Sequence, residues 1–489
     1  MVETLSEQPV LFFLSPEELA TRTLRIDLNY YHPKYTKIME LLEKAAKYYD
    51  VKQLGEIADV SRMLGFEEDC LVRYVPQGVP FLQVQNIKEF EIDYAKVKFI
   101  PMEAHKKLVR SQLRPNDIII TITGRVGTVA VVPSQMGECN LSKENARIRI
   151  RDQRVSPDYV AVYLNAGLGK KLLEKWNSGS TRSRTLIKNV RRIPIIILDK
   201  SKQTQIVSKV KILKQKKKKT LAEAENLLEK AQKIQHDGYS LAYKILGIKQ
   251  QLSASEKVFV LAREKLEDRL DVAFYLGADK YSVQSEFPVE KMRELVEFSK
   301  ENAFPEREPF KKFRYVQIQD VDAEYGKIAS STELLGKDAP SRARKVIHQG
   351  QILTGLSGSA TGTPHHSTAI VPSALDGSIA STGFGVLKPR QGIDLFFVYF
   401  MLRGNYVLDE IKRRLTGATI PSINESGFEK IEIPLPPIEV QCRIIDLLKK
   451  ATENSENVKT QAKALLKEAR ELDQTAENEF MKSLSIEKG

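Results

Sequence analysis

The sequence predicts a mixed α/β protein made of two tandem, related α/β domains, separated and followed by long helices that pair as an antiparallel coiled coil. Three observations lead to this fold class. Short segments of the first half recur in the same order in the second half. Strand-like apolar runs fill the first part of each half, and each half ends in apolar residues spaced three and four apart.

Six short matches between the halves indicate a duplication. The matched segments are residues 25–31 with 269–275, 81–87 with 315–321, 116–119 with 350–353, 131–133 with 370–372, 179–181 with 417–419, and 193–195 (Gln205 downstream) with 433–435 (Gln441 downstream). The offsets run from 234 to 244 residues, about half the chain. This period is far too long for a solenoid, so a whole domain and its linker are predicted to be duplicated.

Each half begins with short runs rich in Val, Ile, Thr and Tyr, separated by loops that contain Gly, Pro, Asn and Ser, which is typical of strands. The predicted strands are residues 81–87, 118–122, 129–132 and 146–150 in the first half, and 315–321, 352–354 and 384–387 in the second. A helix is predicted over residues 158–174 and again over 394–415, and a Pro-containing strand closes each domain.

The end of each half has the spacing of a coiled-coil seam. In the first half the seam residues are Ile206, Val210, Leu213, Thr220, Ala224, Leu227, Ala231 and Ile234, with Lys217 at one seam position. In the second half they are Ile444, Leu448, Ala451, Ser455, Val458, Ala462, Leu465, Ala469, Leu472 and Ala476. Because each helix alone would expose an apolar stripe, we expect the two to pair, with the domains at opposite ends. The alternative is that each helix folds back on its own domain.

These patterns divide the chain into six segments. The predicted organisation is an N-terminal segment with a short helix at 1–50, a first domain at 51–199, a first spacer helix at 200–250, a connecting segment at 251–290, a second domain at 291–437 and a second spacer helix at 438–489.

Composition and charge favour a polyanionic partner. The 489 residues include 76 Lys and Arg against 63 Asp and Glu, a formal net charge of +13. Such an excess is typical of proteins that bind nucleic acid or an anionic membrane surface. The chain has no apolar run of 18 residues and no signal peptide, and Cys70, Cys139 and Cys442 lie far apart, as in a reducing compartment. We therefore expect a soluble cytoplasmic protein without membrane attachment.

The motifs of common enzymes are missing. The sequence has no GxxxxGK[ST] phosphate loop, no Asn-Pro-Pro-aromatic segment and no paired-glycine dinucleotide motif. His365 and His366 are interpreted as a surface pair rather than metal ligands. Asp394 with Glu410 and Lys412 imitates part of a metal nuclease site, a triplet expected by chance. The chain is interpreted as non-catalytic, with no metal site.

Basic and hydroxyl side chains in loops beside the predicted strands are the candidates for DNA contact. Arg and Gln read guanine and adenine edges, whereas Lys, Ser, Thr and backbone amides mostly hold phosphates. The candidate DNA-binding residues are Arg110, Arg114, Arg125, Ser180, Thr181, Arg182, Arg184, Lys188, Arg342, Arg344, Lys345, Ser357, His365 and Thr419.

Each of two further polar features allows two interpretations. Gln83 and Gln85, like Gln317 and Gln319, are predicted to alternate on one strand face, where they either point to DNA or form hydrogen bonds at the edge of the core. The lysine run at 209–219 is either a solvated helix face or a contact with phosphates or an acidic partner.

The order of these features resembles the DNA-specificity (S) subunit of type I restriction–modification enzymes. The resemblance rests on residues 117–119 with Gly124 and Gly127, on the turn at 177–181 leading to 193–195, and on their second copies. Its most specific element is the segment Ile-Pro-Leu-Pro-Pro at 433–437, followed by Gln441 and a long helix. The first copy departs from it, because residues 195–200 replace the double-proline segment.

The resemblance implies two target-recognition domains, each of which reads one half of a bipartite asymmetric site in double-stranded DNA. It implies that the helices set the spacer and dock two modification (methyltransferase) subunits, and that restriction (translocase/nuclease) subunits join the complex. S-adenosylmethionine, ATP and Mg would then be bound by the partner subunits and not by this chain. The candidate partner-binding residues on the helices are Lys217, Leu221, Leu228, Leu465 and Leu472. The alternatives are the recognition subunit of a type IIB-like restriction enzyme, a coiled-coil nucleic-acid adaptor, or an enzyme with unrecognised motifs.

Overall fold

The computed structural model describes residues 33–176, 183–251, 274–275, 280–417 and 419–484. They form two compact units. The first combines the described residues up to 224 with those from 463 onward, and the second consists of the described residues from 225 to 462. Each unit therefore contains one α/β domain and parts of both long helices. Within the described residues, no helix is both long and apolar enough to cross a membrane.

The α/β domain of the first unit begins with a helix that packs on its core and continues with short strands and helices. The helices are α1 (Pro33–Ala45), α2 (Leu54–Ile57), α3 (Gly65–Leu71), α4 (Met102–Lys107), α5 (Pro157–Ala166), α6 (Leu168–Trp176) and α7 (Ile187–Arg191). The strands are β1 (Asp50–Gln53), β2 (Ala58–Ser61), β3 (Val79–Leu82), β4 (Ile87–Lys88), β5 (Glu91–Ile92), β6 (Lys98–Ile100), β7 (Ile118–Thr121), β8 (Val129–Val131), β9 (Asn140–Leu141), β10 (Asn145–Ile150) and β11 (Pro194–Ile197).

Two sheets dominate this domain. The larger has the order β2-β10-β7-β8 with antiparallel neighbours, and the smaller has the order β6-β3-β9, in which β3 and β9 run parallel. Strand β1 pairs with β11, so the chain enters and leaves the domain at one place. The main core lies between the larger sheet and helices α1, α5 and α6.

The second unit repeats this arrangement. After the first long helix, α8 (Lys200–Leu246), its strands are β12 (Ile248–Gln250), β13 (Tyr281–Val283), β14 (Val289–Lys291), β15 (Val296–Phe298), β16 (Lys312–Val316), β17 (Val321–Asp322), β18 (Lys327–Ile328), β19 (Thr332–Leu335), β20 (Ala343–Ile347), β21 (Ile352–Gly355), β22 (Thr368–Ile370), β23 (Ser378–Ser381), β24 (Phe384–Pro389) and β25 (Glu432–Pro434). Its helices are α9 (Met292–Leu295), α10 (Leu395–Arg403), α11 (Asn405–Arg413), α12 (Glu425–Glu429) and the second long helix, α13 (Ile438–Ser483).

The second domain has two four-stranded sheets. The sheet β15-β24-β21-β22 corresponds to the larger sheet of the first domain. The sheet β19-β16-β23-β20 corresponds to the smaller one, again with one parallel pair, β16 and β23, and has β20 as an additional strand. Strand β14 pairs with β25 just as β1 pairs with β11. Asn116 and Gly350, which are equivalent in the repeat, both have a positive φ, 67° and 80°. The prediction of two related α/β domains is confirmed.

The long helices pair in antiparallel fashion within each unit. In the first unit Lys209 lies 3.6 Å from Glu479 and Lys216 lies 2.9 Å from Glu468. In the second unit the Ser455 hydroxyl donates to the carbonyl of Ala231 at 2.9 Å. The predicted seam is buried at Ala224, Ala231, Ala462, Ala469 and Ala476. The predicted pairing is therefore confirmed, and its small residues let the two backbones approach closely.

A buried glutamine opens each long helix, and the sequence-based choice of the first one was wrong. Gln441 accepts from the backbone N–H of Asp394 and donates to the carbonyl of Pro436. The equivalent in the first unit is Gln203, which accepts from the N–H of Ser156. Gln205, the predicted equivalent, is exposed. The error arises because only the bonds to the preceding loop distinguish two glutamines in one helical turn.

Each of the two predicted single helices is broken by a glycine. Gly167 separates α5 from α6, and a Cβ there would lie 2.6 Å from the ring of Phe480 on α13. Gly404 separates α10 from α11 and lies against Tyr243 of α8 in the same way. Both breaks therefore allow a helix of the domain to approach a long helix of the same unit.

Candidate nucleic-acid interface

Four segments that are distant in sequence meet at the end of β7 in the first domain. Ile122 donates its N–H to the carbonyl of Glu144 at 2.9 Å, and Gly124 donates to Ser183 at 2.9 Å. The guanidinium of Arg125 approaches the carbonyl of Val84 at 3.4 Å. We name residues 83–86, 123–127, 142–144 and 183–185 the first loop cluster.

The second domain assembles an equivalent cluster at the end of β21. Leu356 donates to the carbonyl of Gly383 at 2.8 Å, and Gly358 donates to that of Pro421 at 2.9 Å. A bridge between Ser357 and Ser422 matches the bridge between Thr123 and Arg184 in the first domain. We name residues 317–320, 356–360, 381–383 and 419–423 the second loop cluster.

Glycine makes the turns after β7 and β21 possible. Gly124 has φ 76° and Gly358 has φ 123°, a backbone conformation that side chains with a Cβ rarely adopt. A Cβ at either position would meet no other atom within 4 Å. The glycines are thus needed for the shape of the turns and leave the surface above them open.

The first loop cluster contains two of the predicted DNA-binding residues, Arg125 and Arg184, and both are exposed. Lys188 follows in the first turn of α7 and is also exposed. Ser180, Thr181 and Arg182 lie outside the described residues.

Two more candidates of the first domain lie away from the turn at 123–127. Arg110 is exposed on a 3₁₀ turn (Val109–Ser111). Its backbone carbonyl accepts a hydrogen bond from the Ser61 hydroxyl. Arg114 is exposed before the start of β7, at the opposite end of that strand. Their role in DNA contact stays a prediction.

The second loop cluster contains Ser357 and Thr419, and Arg342 lies next to it because its carbonyl accepts from Thr382 at 2.9 Å. Arg344 and Lys345 follow Arg342 on β20. His365 is exposed in the loop between β21 and β22.

Arg344 and Lys345 are partly neutralised by acidic neighbours. The guanidinium of Arg344 lies 3.0 Å from Glu306 and over the ring of Phe304, and the ammonium of Lys345 lies 3.9 Å from Glu425. These contacts leave less free charge for a phosphate than the sequence indicated.

The prediction that each glutamine pair alternates on one strand face is wrong. Strand β3 ends at Leu82, and Val84–Asn86 form a 3₁₀ turn. Ile318–Asp320 form the equivalent turn after β16. In each turn a side chain caps the backbone: Asn86 accepts from Gln83 and Asp320 accepts from Gln317. This capping ends the strand early and places Gln85 and Gln319 on the exposed side of the turn.

The lysine run pairs with acidic side chains of its own unit, which neither interpretation included, while Lys209, Lys216, Lys218 and Lys219 stay exposed, as expected of a solvated helix face. Lys214, although buried, pairs with Asp473 of α13 and lies 3.2 Å from Glu89. Lys217 lies 3.0 Å from Asp473, and Lys211 lies 2.7 Å from Asp158. The sequence could not indicate this, because these acids lie in the β4–β5 hairpin, in α5 and in α13.

The other candidate partner-binding residues are half-buried along the helix pair. These residues are Leu221, Leu228, Leu465 and Leu472, and Lys217 is also half-buried. Each keeps part of its surface open to solvent. Their contact with a partner stays a prediction.

Several acidic and basic residues with possible catalytic roles have structural partners. Asp394 caps α10 by accepting from the N–H of Phe396 at 2.7 Å. Glu410 pairs with Arg413 at 2.7 Å and with Arg414. Among the described residues, no three His, Cys, Asp or Glu side chains are grouped so that they could hold a metal ion.

His366 is buried, so the interpretation of His365 and His366 as a surface pair was wrong for one of them. Only His365 is exposed. His366 Nδ1 accepts from the N–H of Gly362 at 3.2 Å, and Nε2 lies 2.8 Å from the hydroxyl of Thr354. This pattern fits a neutral imidazole. Burial, with a smaller effect of Arg403, lowers the pKa of His366 to about 4.

Acid is therefore expected to destabilise the second unit through His366. Between about pH 4 and 6.5 the unfolded chain binds a proton at this position and the folded chain does not, so stability falls as the pH is lowered. The loss can reach about 3 kcal/mol over that range. Thermal unfolding from pH 8 to 4.5 should show a smaller pH dependence for His366→Asn than for the parent. His365→Asn, the neighbouring control, should keep the parent's pH dependence, and equal slopes for all three proteins would contradict the assignment.

Removing the arginines of the first loop cluster is expected to weaken binding to DNA of every sequence. Arg125→Ala with Arg184→Ala should reduce the slope of log affinity against log salt concentration by about 2, because each phosphate contact contributes about 0.9. The control is Arg151→Ala with Arg154→Ala, which removes equal charge at the opposite end of β10. Equal slopes for the two double variants would show that the first loop cluster does not contact phosphates.

Comparison with known proteins agrees with the resemblance seen in the sequence. Residues 289–468 match the family described as "Type I restriction modification DNA specificity domain". The EcoBI specificity subunit of Escherichia coli, a type I restriction enzyme component, is 25% identical over 146 residues, which span 28% of this chain and 29% of that protein. The putative MjaX specificity subunit of Methanocaldococcus jannaschii is 22% identical over 89% of this chain and 93% of that protein.

The fold agrees as well. A solved chain described by "complex assembly and conformational transition of the type I R-M system" superposes with a TM-score of 0.52 at 16% identity, over 90% of this chain and 98% of that chain. Residues 289–468, which match the family model, include the second α/β domain. The resemblance of the chain to type I specificity subunits is confirmed.

Proposed function

We propose that this chain is the non-catalytic DNA-recognition subunit of a type I restriction–modification complex. Each α/β domain reads one half of a bipartite, asymmetric site in double-stranded DNA through its loop cluster. The observation that supports this proposal is that the two loop clusters share one backbone arrangement but carry different side chains. The bridges Thr123–Arg184 and Ser357–Ser422 align the clusters, so Arg125 and Arg184 of the first correspond to Ser359 and Ser422 of the second. Related readers with different side chains would recognise different sequences.

The long helices then act as a spacer. A rigid connection between two modest readers raises the overall affinity only for sites at the matching separation. The small-residue seam favours such rigidity, because Ala and Gly keep the helices close and leave little side-chain freedom between them.

Catalysis is assigned to partner subunits. Two modification (methyltransferase) subunits would dock on the helices, where Leu221, Leu228, Leu465 and Leu472 keep apolar surface accessible, and restriction subunits would join them. S-adenosylmethionine, ATP and Mg would be bound by those partners. The complex would act on DNA in the cytoplasm.

Genome-wide mapping of methyladenine tests this function. Cells would express the partner methyltransferase subunit with and without this chain. The expected result is a methylated motif of two specified halves around an unspecified spacer of constant length, present only with this chain. A soluble complex of the two proteins that produces no new motif would contradict the proposal.

A further inference from the structure

Gln85, in the first loop cluster, is the last of three linked polar side chains that begin at Tyr74. The Gln83 amide donates to the hydroxyl of Tyr74 at 3.2 Å, and the Gln85 amide approaches the Gln83 carbonyl oxygen at 3.4 Å. Tyr74 is itself held in place. Its ring packs against the buried ring of Phe81, and the ammonium of Lys98 lies 4.2 Å above it.

The backbone beneath this line is also fixed. Asn86 is buried, accepts from the N–H of Gln83 at 2.9 Å and donates to the carbonyl of Asp93 at 3.0 Å. Gln85 lies within the 3₁₀ turn that Asn86 closes, so its Cα has a defined position while its side chain is exposed. Such a group combines a rigid base with an open functional end.

The amide of Gln85 keeps unused hydrogen-bonding capacity. A terminal amide has two N–H donors and a carbonyl oxygen with two lone pairs. The contact with Gln83 uses one N–H and leaves the other N–H and the carbonyl oxygen available. If the oxygen and nitrogen positions of both side-chain amides are exchanged, Gln85 still keeps at least one donor and one acceptor. The contact with Gln83 favours one orientation of this amide.

A donor next to an acceptor matches one base edge in the major groove. Adenine presents the N7 acceptor beside the N6 donor, whereas guanine presents two acceptors, cytosine a donor, and thymine an acceptor beside a methyl group. We propose that Gln85 reads an adenine in the half-site recognised by the first domain, with Gln83 and Tyr74 as positioning residues. This inference rests on the proposed function of the first loop cluster.

The second domain lacks this line of side chains. Its turn is capped by Asp320 in place of Asn86, and among the described residues no side-chain hydrogen bond joins Gln317 to Gln319. The assignment to adenine therefore concerns the first domain alone.

The test removes the N7 atom and the side chain separately. The complex of the full chain with its methyltransferase subunits would be titrated with its own target duplex and with duplexes that carry 7-deazaadenine at one adenine of the first half-site. At one position we expect the parent to lose about 5- to 150-fold in affinity. Gln85→Ala should bind the normal target correspondingly less tightly and should be insensitive to the substitution within about twofold. Equal losses for parent and variant at every position, or none for the parent at any, would overturn the proposal.

Two further variants separate positioning from folding. Tyr74→Phe keeps the ring and removes the hydroxyl, so it should reduce the 7-deazaadenine effect without changing the melting temperature or the salt dependence of binding. Gln135→Ala, an exposed glutamine beyond the other end of the β7–β8 pair, should retain the full effect. If the parent complex shows no sequence preference at all, the proposed function fails. If it prefers its target but Gln85→Ala responds to 7-deazaadenine as the parent does, only this inference fails.

Discussion

Adding seven residues to each long helix is expected to lengthen the unread spacer of the target and to leave both half-sites unchanged. The insertions would follow Ala224 in α8 and Ala462 in α13, which are seam residues on the boundary between the two units. Seven residues extend a helix by about 10.5 Å, or at most about three base pairs of DNA. The number of base pairs added to the spacer is expected to be lower than this limit, because each added base pair also rotates the second half-site about the DNA axis.

Seven residues in both helices is the appropriate length because the seam repeats every seven residues. The ion pair Lys216–Glu468 on one side and the Ser455–Ala231 hydrogen bond on the other can both re-form after matched insertions. Four residues in α8 alone would rotate its apolar stripe by about 40° from its partner and serve as the mismatched control. A methylated motif with the parental spacer in the matched variant, folded as judged by its helical circular dichroism, would contradict the role of the helices.

A leucine at position 238 is expected to destabilise the second unit strongly. Gly238 lies inside α8, two turns before its C-terminal end, where helix propensity alone predicts a gain of about 1 kcal/mol on replacement. A Cβ there would lie only 2.6 Å from the Cβ of Ala451 on α13, so a larger side chain must force the helices apart. We expect a net loss of about 1–3 kcal/mol in the free energy of unfolding, seen as a lower melting temperature.

Gly65→Leu is the matched control, because Gly65 begins α3, is exposed and has no atom within 4 Å of an added Cβ. It should change the melting temperature little. If Gly238→Leu melts at or above the parental temperature, helix propensity dominates and the close helix contact is not a source of stability.

The sequence predicted the fold well where local patterns decide it. The heptad seam and the ordered repeat each extend over many residues, so single irregularities did not mislead the prediction. The predictions that failed concern features that depend on contacts between residues far apart in the sequence. The break at Gly167 depends on Phe480, which lies 313 residues further along the chain. The partners of Lys214 lie on a hairpin and on α13.

The sequence predicted individual residues of the candidate interface but not how they are brought together. Arg125 and Arg184 were identified by residue type, but their proximity depends on backbone bonds between the residues that follow β7 and residues 183–185. Tyr74 was missed. It lies nine residues from Gln83, and nothing in the local sequence links the two. A side chain that acts by positioning another one has no pattern of its own.

The exchange of one recognition domain tests the central claim most directly. Residues 52–198 would be replaced by the equivalent segment of a specificity subunit with a different target, and the methylated motif would be mapped in cells with the same methyltransferase subunit. The account predicts that one half of the motif changes to that of the donor, while the other half and the spacer stay as they are. A change in both halves would contradict the assignment of one half-site to each domain.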